Sequence, residues 1–497
     1  MAKLATSAVV LPILARYLGI EGYGQYAYYL AVLLLASQFA NVGMMQTMTR
    51  RIAERPEDRA WCRSVARSGA LINGAGVMGA GFAAGLLIWR TASHETAAVP
   101  MALAVVGVLI FDQVWFYARG VLHGFRHEER VAVPGIIGVL MAGSFGVLAA
   151  VTGMGVVGVF VGLLVADIMV AAACLRAVIS ALNGLGLPAS EGSSPLSTGA
   201  MLRFGLSAMV FSVLNMALCS LDIIFVRHMA GEAQAGLYAA AVQWSQFVWF
   251  IPIAVEGVML QATARLWAEE RVDAVTNLVS RLVRYVMLGT IFLLIVVFVL
   301  GDRILAVYFG PQFSEAALGL RLLVPGALCY AVARVLWPVI QAGGQGLSLI
   351  YVMVAAVLVD VGLCAILIPV GGAAGAACAT SLSFALVAGG YVWILRQRKV
   401  GIFEGLALPR LVVLVVMTGL AMAGLSALVS TPLLSLLVGA AVGVVFYWAG
   451  VFSLGLVQVH ELESLVQSLP GTFRHAGEMV FRTVAPLLLR LKAAASN

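Results

Sequence analysis

The chain has 497 residues, 62% of them hydrophobic and only 11% charged, with a formal net charge of +7. That leaves no room for a large soluble domain. It also argues against a nucleic-acid partner: the basic residues lie in strips beside apolar bands, not on polar faces interleaved with aromatics, and anionic lipid headgroups account for them better. The six cysteines are scattered and form no CxxC, so neither a disulfide framework nor a zinc site is indicated, and no cofactor is expected.

Fourteen apolar bands follow one another along the chain. The first six cover 3–18, 25–48, 68–89, 99–118, 131–152 and 155–175, and a Gly-, Ser- and Pro-rich stretch at 183–199 then reads as a flexible linker. Six more cover 204–226, 236–262, 285–301, 316–341, 347–369 and 373–395, and a last pair covers 411–430 and 433–455. Most reach or approach the ~20 residues that cross a hydrocarbon layer of ~30 Å. Of the 30 Lys and Arg residues, 24 fall in every second gap. Cytoplasmic loops carry the Lys/Arg excess, so the basic gaps are assigned to the cytoplasm. An even number of spans with both termini inside preserves that alternation. The expected fold is therefore an all-α integral membrane protein of about fourteen transmembrane helices.

A repeat divides the chain. Gly19-(x4)-Gly24-Gln25-Tyr26-Ala27 recurs 212 residues later as Gly231-(x4)-Gly236-Leu237-Tyr238-Ala239. Both copies open a long band that ends at a basic gap, and a weaker echo links 120–126 with 340–345. The offset spans an even number of bands, so the copies run in the same direction, as parallel repeats about an axis along the membrane normal do. This gives an N-lobe at 1–180, a linker at 181–200, a C-lobe at 201–395 and a helix pair at 396–455. In the tail at 456–497, Leu462, Leu465, Val466 and Leu469 keep helical spacing, which predicts an amphipathic surface helix. The glycine runs 76–85 and 371–375 have the spacing of close helix packing in lipid.

Enzyme signatures are missing: there is no GxxxxGK loop, no HExxH and no GxSxG. The informative residues are instead charges inside the bands. Each costs about 2.5–3.5 kcal/mol to insert and normally faces a partner or a wet cavity. They are Asp112, Asp167, Asp222, Glu256, Arg334 and Asp360, with Arg334 the one basic residue deep in a band. Trp244, Phe247, Trp249 and Phe250 form an aromatic cluster in the eighth band, suited either to stacking on a sugar or to plain packing.

Arg16-Tyr17-Leu18-Gly19-(x3)-Tyr23-Gly24, followed by a band ending in Arg50-Arg51-Ile52-Ala53, resembles the Wzx-type polysaccharide flippases of the multidrug/oligosaccharidyl-lipid/polysaccharide (MOP) exporter superfamily. The resemblance extends over the whole chain through its fourteen bands and two lobes, although members of that family usually have a longer lead before the Arg-Tyr-Leu-Gly motif. It implies alternating access in the inner membrane, moving undecaprenyl-diphosphate-linked oligosaccharide between leaflets beside a polysaccharide polymerase and co-polymerase. For such a substrate Arg334, Arg51 and Arg265 are the expected diphosphate or glycan contacts, since a planar guanidinium keeps its charge and donates two parallel hydrogen bonds. Asp112, Asp222, Asp360 and Glu256 are then counter-charges or proton/cation coupling sites. The competing expectation is that these residues pair across helices to fix packing. Alternative functions are a peptidoglycan lipid-precursor flippase and a cation-coupled multidrug exporter, the latter usually built from twelve helices. A membrane glycosyltransferase or ligase is disfavoured because the gaps assigned outside are too short to carry catalytic loops.

Overall fold

A computed structural model describes residues 2–91, 98–183, 198–429 and 431–457, so most of the expected linker and nearly all of the tail lie outside the described residues. Every regular element among them is helical, as hydrocarbon requires of a spanning segment that must satisfy its own backbone hydrogen bonds. In chain order these are α1 (Ala2–Asn41), α2 (Met44–Glu54), α3 (Arg59–Thr91), α4 (Ala98–Gly124), α5 (Glu129–Val151), α6 (Gly155–Asn183), α7 (Thr198–Ala230) and α8 (Glu232–Phe247). They continue as α9 (Phe250–Ala268), α10 (Val272–Tyr308), a 3-10 turn (Pro311–Ala316), α11 (Ala317–Ala342), α12 (Gly346–Gln397), α13 (Leu408–Ala427) and α14 (Pro432–Ser453).

Among the described residues, eleven helices are long and apolar enough to cross a membrane, or twelve when α8 and α9 count as one bent span. Two of these are too long for a single crossing. At 1.5 Å per residue α12 would extend about 78 Å and α1 about 60 Å, against a layer of ~30 Å. Each is broken at a glycine with positive φ, Gly372 in α12 and Gly19 in α1. At the first break the chain reverses: a Cβ on Gly375 would lie 2.1 Å from the carbonyl oxygen of Leu367, residues about 12 Å apart in a straight helix. Dividing both gives fourteen membrane-length segments. The glycines at 371–375, expected as helix packing, make a turn instead.

Two expected bands are interrupted. The band at 25–48 breaks where Val42 and Gly43 both take left-handed φ angles (47° and 66°), a strained choice for the β-branched valine. The band at 236–262 bends by 50° between α8 and α9. Pro252 lies just beyond the bend; it lacks an N–H, and its ring excludes the helical carbonyl of residue 248. The weaker repeat proves to be a shared helix stop. His127 N–H donates to the Leu122 carbonyl and Gln345 N–H to the Ile340 carbonyl, each past a left-handed residue, Arg126 or Gly344.

The chain forms two compact units. One comprises residues up to 240 with 308–319 and 347–383; the rest of the described chain forms the other. In the first, α1 packs against α3, α4, α5 and α7. Helix α2 inserts Met44, Met48 and Ile52 into a core that also holds Cys62, Val121, Cys174 and Met201. In the second, Tyr330 stacks on Phe384 at 4.4 Å, and Trp249 lies 4.8 Å from Tyr330 while its indole N–H donates to the Ala327 carbonyl. Tyr447 of α14 donates to the Leu288 carbonyl of α10. Large apolar side chains such as Met78, Phe82, Leu103 and Leu420 remain exposed, as the lipid-facing side of spanning helices does.

The main repeat meets itself inside the first unit. A Cβ on Gly24 would sit 2.0 Å from the Glu232 carbonyl oxygen, and one on Gly236 would sit 2.2 Å from the Ile20 carbonyl oxygen. Ile20 and Gly24 are the repeat equivalents of Glu232 and Gly236, so the contact is reciprocal, like one across a two-fold axis. We predict that Gly24→Ala or Gly236→Ala lowers stability by about 1–3 kcal/mol through overpacking. Gly74→Ala, which meets nothing within 4 Å, should be neutral or slightly stabilising. Thermal unfolding of the detergent-purified protein, followed by size exclusion, checks both outcomes.

Candidate functional site

In the first unit, the α7 residue Asp222 is fully enclosed. One carboxylate oxygen accepts from the hydroxyls of Tyr238 (α8) and Thr380 (second arm of α12, 3.0 Å), and the other accepts from the Ile223 N–H at 2.9 Å. The Tyr238 and Thr380 hydroxyl oxygens lie 2.9 Å from each other. The first arm of α12 adds Asp360, 2% exposed and within electrostatic range of Asp222, with one oxygen lacking any hydrogen-bond partner. The reversal at Gly372 sets Asp360 and Thr380 on adjacent arms. Its tip is tied to α8 by Gln234, whose side-chain oxygen accepts from the Ala373 N–H at 3.1 Å. Two expected residues, Asp222 and Asp360, thus meet in one buried polar cluster. No group of three or more His, Cys, Asp or Glu suited to a metal occurs among the described residues.

Next to the reciprocal glycine contact lies a group absent from the expected site set. The Arg227 side chain, 8% exposed, bonds Glu232 at 2.7 Å and lies 4.2 Å from the centre of the Tyr28 ring. Gln25 donates to the second oxygen of Glu232 at 2.7 Å. On the sequence, Asp222 lies five residues before Arg227 on the same helix. The true partner, Glu232, is five residues after it, across the turn at Gly231, and only the turn decides between them.

In the second unit, Arg334 of α11 and Glu256 of α9 form an ion pair at 2.8 Å, each side chain 20% exposed, while the Arg334 Nε has no partner. Glu256 and Arg265 share helix α9. Arg265 instead points out and bonds Glu269 at 2.9 Å. Hydrogen bonds from Arg265 and Arg271 hold the Glu269 carboxyl below its ordinary range. Arg51, in the first unit, bonds Glu54 at 3.0 Å, and Arg50 reaches the same carboxylate at 3.5 Å. Asp112 accepts from Ser37 at 2.8 Å. Of the aromatic cluster, Trp249 is core, whereas Phe247 and Phe250 are exposed.

The sequence model of the polysaccharide biosynthesis protein family matches residues 1–254, and the chain belongs to that family. The comparison with curated proteins returns no match. Among solved structures, the inward closed conformation of the lipid II flippase MurJ superposes with a TM-score of 0.70 at 15% identity, covering 92% of this chain and 98% of that one. An inward-facing multidrug resistance MATE family transporter of the MOP superfamily gives a TM-score of 0.60 at 14% identity, over 80% of this chain and 94% of that one. A MOP superfamily transporter from Pyrococcus furiosus gives 0.54 at 15% identity, over 80% and 96%. The fold is that of the MOP superfamily, and the chain is a multi-pass membrane protein.

Removing one member of a half-buried ion pair strands the other. Arg334→Ala is therefore expected to lower stability by about 2 kcal/mol, and Arg334→Ala/Glu256→Ala to recover most of that loss. Thermal melts of the single and double variants measure the coupling. Additive losses would show that the two residues do not depend on each other.

Proposed function

We propose that the protein is a flippase for undecaprenyl-diphosphate-linked oligosaccharide, working by alternating access, and not an enzyme. The observation that carries this reading is the polysaccharide biosynthesis family match over the first 254 residues; a transporter fold with ionisable groups held inside apolar helices supports it. A diphosphate-glycan headgroup cannot cross hydrocarbon without a polar route. Arg334, Arg51 and Arg265 are assigned to its anionic part, and the unpartnered Nε leaves Arg334 with a free donor beside its Glu256 bond.

Asp222 and Asp360 are assigned to coupling. Two enclosed acids within electrostatic range of each other favour a proton or a cation between them, and occupancy by either changes the charge binding α7, α8 and both arms of α12 together. Asp112 is assigned a counter-charge role. The alternation of basic gaps supports placement in the bacterial cytoplasmic membrane with both termini inside. The Gly-x4-Gly-x-Tyr-Ala repeat supports an N-lobe at 1–180 and a C-lobe at 201–395, with the pair at 396–455 outside the repeat. A polymerase and co-polymerase are the expected neighbours.

A deletion strain tests the reading through a periplasm-accessible ligase that reports lipid-linked glycan. Accumulation of lipid-linked units on the cytoplasmic side with loss of surface polysaccharide is expected. Unchanged delivery with raised sensitivity to amphiphilic cations would identify a drug exporter. The likeness to the lipid II flippase MurJ favours a peptidoglycan lipid precursor as the second reading, and cell-wall failure on deletion would select it. Arg334→Ala should abolish export while membrane expression persists. Asp222→Asn and Asp360→Asn should each remove the dependence of flipping in proteoliposomes on an imposed proton or sodium gradient.

A further inference from the structure

The last turns of α12 have their rotation fixed by a buried face: Val387, Tyr391, Ile394 and Leu395 are enclosed in the second unit. The opposite face therefore carries Ala385, Leu386, Gly389, Trp393 and Arg396, all exposed. A Cβ on Gly389 would meet nothing within 4 Å, so a shallow notch lies between Leu386 and Trp393. From Trp393 to Arg396 is just under one turn, about 4.5 Å along the axis.

Just beyond Arg396 the helix stops sharply. The Lys399 N–H donates to the Arg396 carbonyl at 2.9 Å and the Val400 N–H to the Leu395 carbonyl at 3.1 Å, with Lys399 at a left-handed φ of 60°. Glycine takes that place in a helix stop without penalty; here it holds a lysine. The far side of the corner is fixed as well. Val400 and Ile402 are buried, and the Gly401 N–H donates to the Thr276 hydroxyl at 3.2 Å. Arg396, Arg398 and Lys399 are exposed, and none is bonded to an acidic side chain among the described residues. Three cations are thus held without counter-charge on an ordered corner, directly beyond an exposed indole and an apolar stripe.

An anionic phospholipid carries matching chemistry in the same order: acyl chain, ester carbonyls, then a phosphate with net negative charge. A guanidinium fork takes two phosphate oxygens. An indole N–H suits the ester level, where tryptophans of spanning helices collect, and cations immediately beyond a span attract acidic lipid. We propose that the end of α12 is a headgroup site for an anionic phospholipid of the phosphatidylglycerol kind. Arg396 and Lys399 hold the phosphate, Trp393 meets the ester level, and one acyl chain lies along Leu386 and Gly389. A zwitterionic headgroup brings its own ammonium and leaves the excess charge of the corner unmatched. The site is separate from the substrate contacts assigned above and does not depend on the flippase reading.

The test uses the full chain in detergent and native mass spectrometry, with phosphatidylglycerol and phosphatidylethanolamine of identical acyl chains as probes. Wild type is expected to bind phosphatidylglycerol about tenfold more tightly. Arg396→Gln/Lys399→Gln should cut that preference by about fivefold or more. Arg67→Gln, which removes an exposed charge from another basic gap, should leave it unchanged. Trp393→Leu should weaken both lipids about threefold and keep the preference. Lys399→Gly relieves the left-handed backbone, so it should melt no lower than wild type while losing part of the preference, which separates lipid binding from folding. Equal binding of the two lipids by wild type refutes the site. An equal loss in Arg67→Gln refutes it too, by showing diffuse surface charge. Displacement of phosphatidylglycerol by excess inorganic phosphate would identify a free-anion site instead. Binding of undecaprenyl diphosphate that depends on Arg396 and Lys399 would make them substrate contacts and overturn the phospholipid assignment. A negative result with the phospholipids alone leaves the flippase reading intact.

Discussion

Two helix backbones can touch only where neither carries a Cβ, and the contact of Gly24 with Gly236 is such a place. Each glycine lies against a carbonyl of the opposite copy, 2.0 and 2.2 Å from where a Cβ would stand, so the register between α1 and α8 has no tolerance. That register sets the start of α8, and much follows from it. Glu232 reaches both Gln25 and Arg227, and Arg227 comes to lie against Tyr28. Half a turn beyond Gly236, Tyr238 meets Asp222. The acid at 222 thus owes its partner to a glycine contact made by a different face of the same helix.

Inside an apolar bundle a charge persists only with company, and most charges here have it: Arg227 with Glu232, Arg334 with Glu256, Asp222 with two hydroxyls. These arrangements differ in what they leave over. The Arg227 guanidinium is buried against aromatic faces and its partner carboxylate is bonded on both oxygens, which suits a fixed joint. The Arg334 pair is partly open and keeps an unused Nε. Asp360 adds a second acid beside Asp222 with no basic side chain among the bonds of either. A bundle that only needed stability would gain by replacing buried charges with apolar residues of similar volume, which is consistent with the coupling role proposed for the acid pair.

Sequence carried the overall plan because the relevant signals are local. Band length, the alternation of basic gaps and the copied Gly-x4-Gly-x-Tyr-Ala can each be read within a few dozen residues, and fourteen membrane-length helices with reciprocally packed repeats agree with them. Residue pairing is a different kind of information. Glu256 is far closer in sequence to Arg265 than to Arg334, yet helix α9 turns Arg265 outward to Glu269 and presents Glu256 to α11. Arg227 chose the acid beyond the turn over the one on its own helix. Neither helix rotation nor a turn of a few residues is written in composition. The break at Val42–Gly43 was hidden for a related reason: its residues are as apolar as their neighbours, and hydropathy records what lipid accepts but not where the backbone stops being helical.

That break divides the end of the span in two. Up to Asn41 the backbone is helical, and α1 packs against α3, α4, α5 and α7; beyond Val42 and Gly43 it starts again as α2, which carries Met44, Met48 and Ile52 into the core. Gly43 permits the close approach, since a Cβ there would lie 2.2 Å from the Gly205 carbonyl oxygen. Val42 has no such excuse: its left-handed φ of 47° is strained for a β-branched residue, so the packing of α2 on both sides of the break must hold it there.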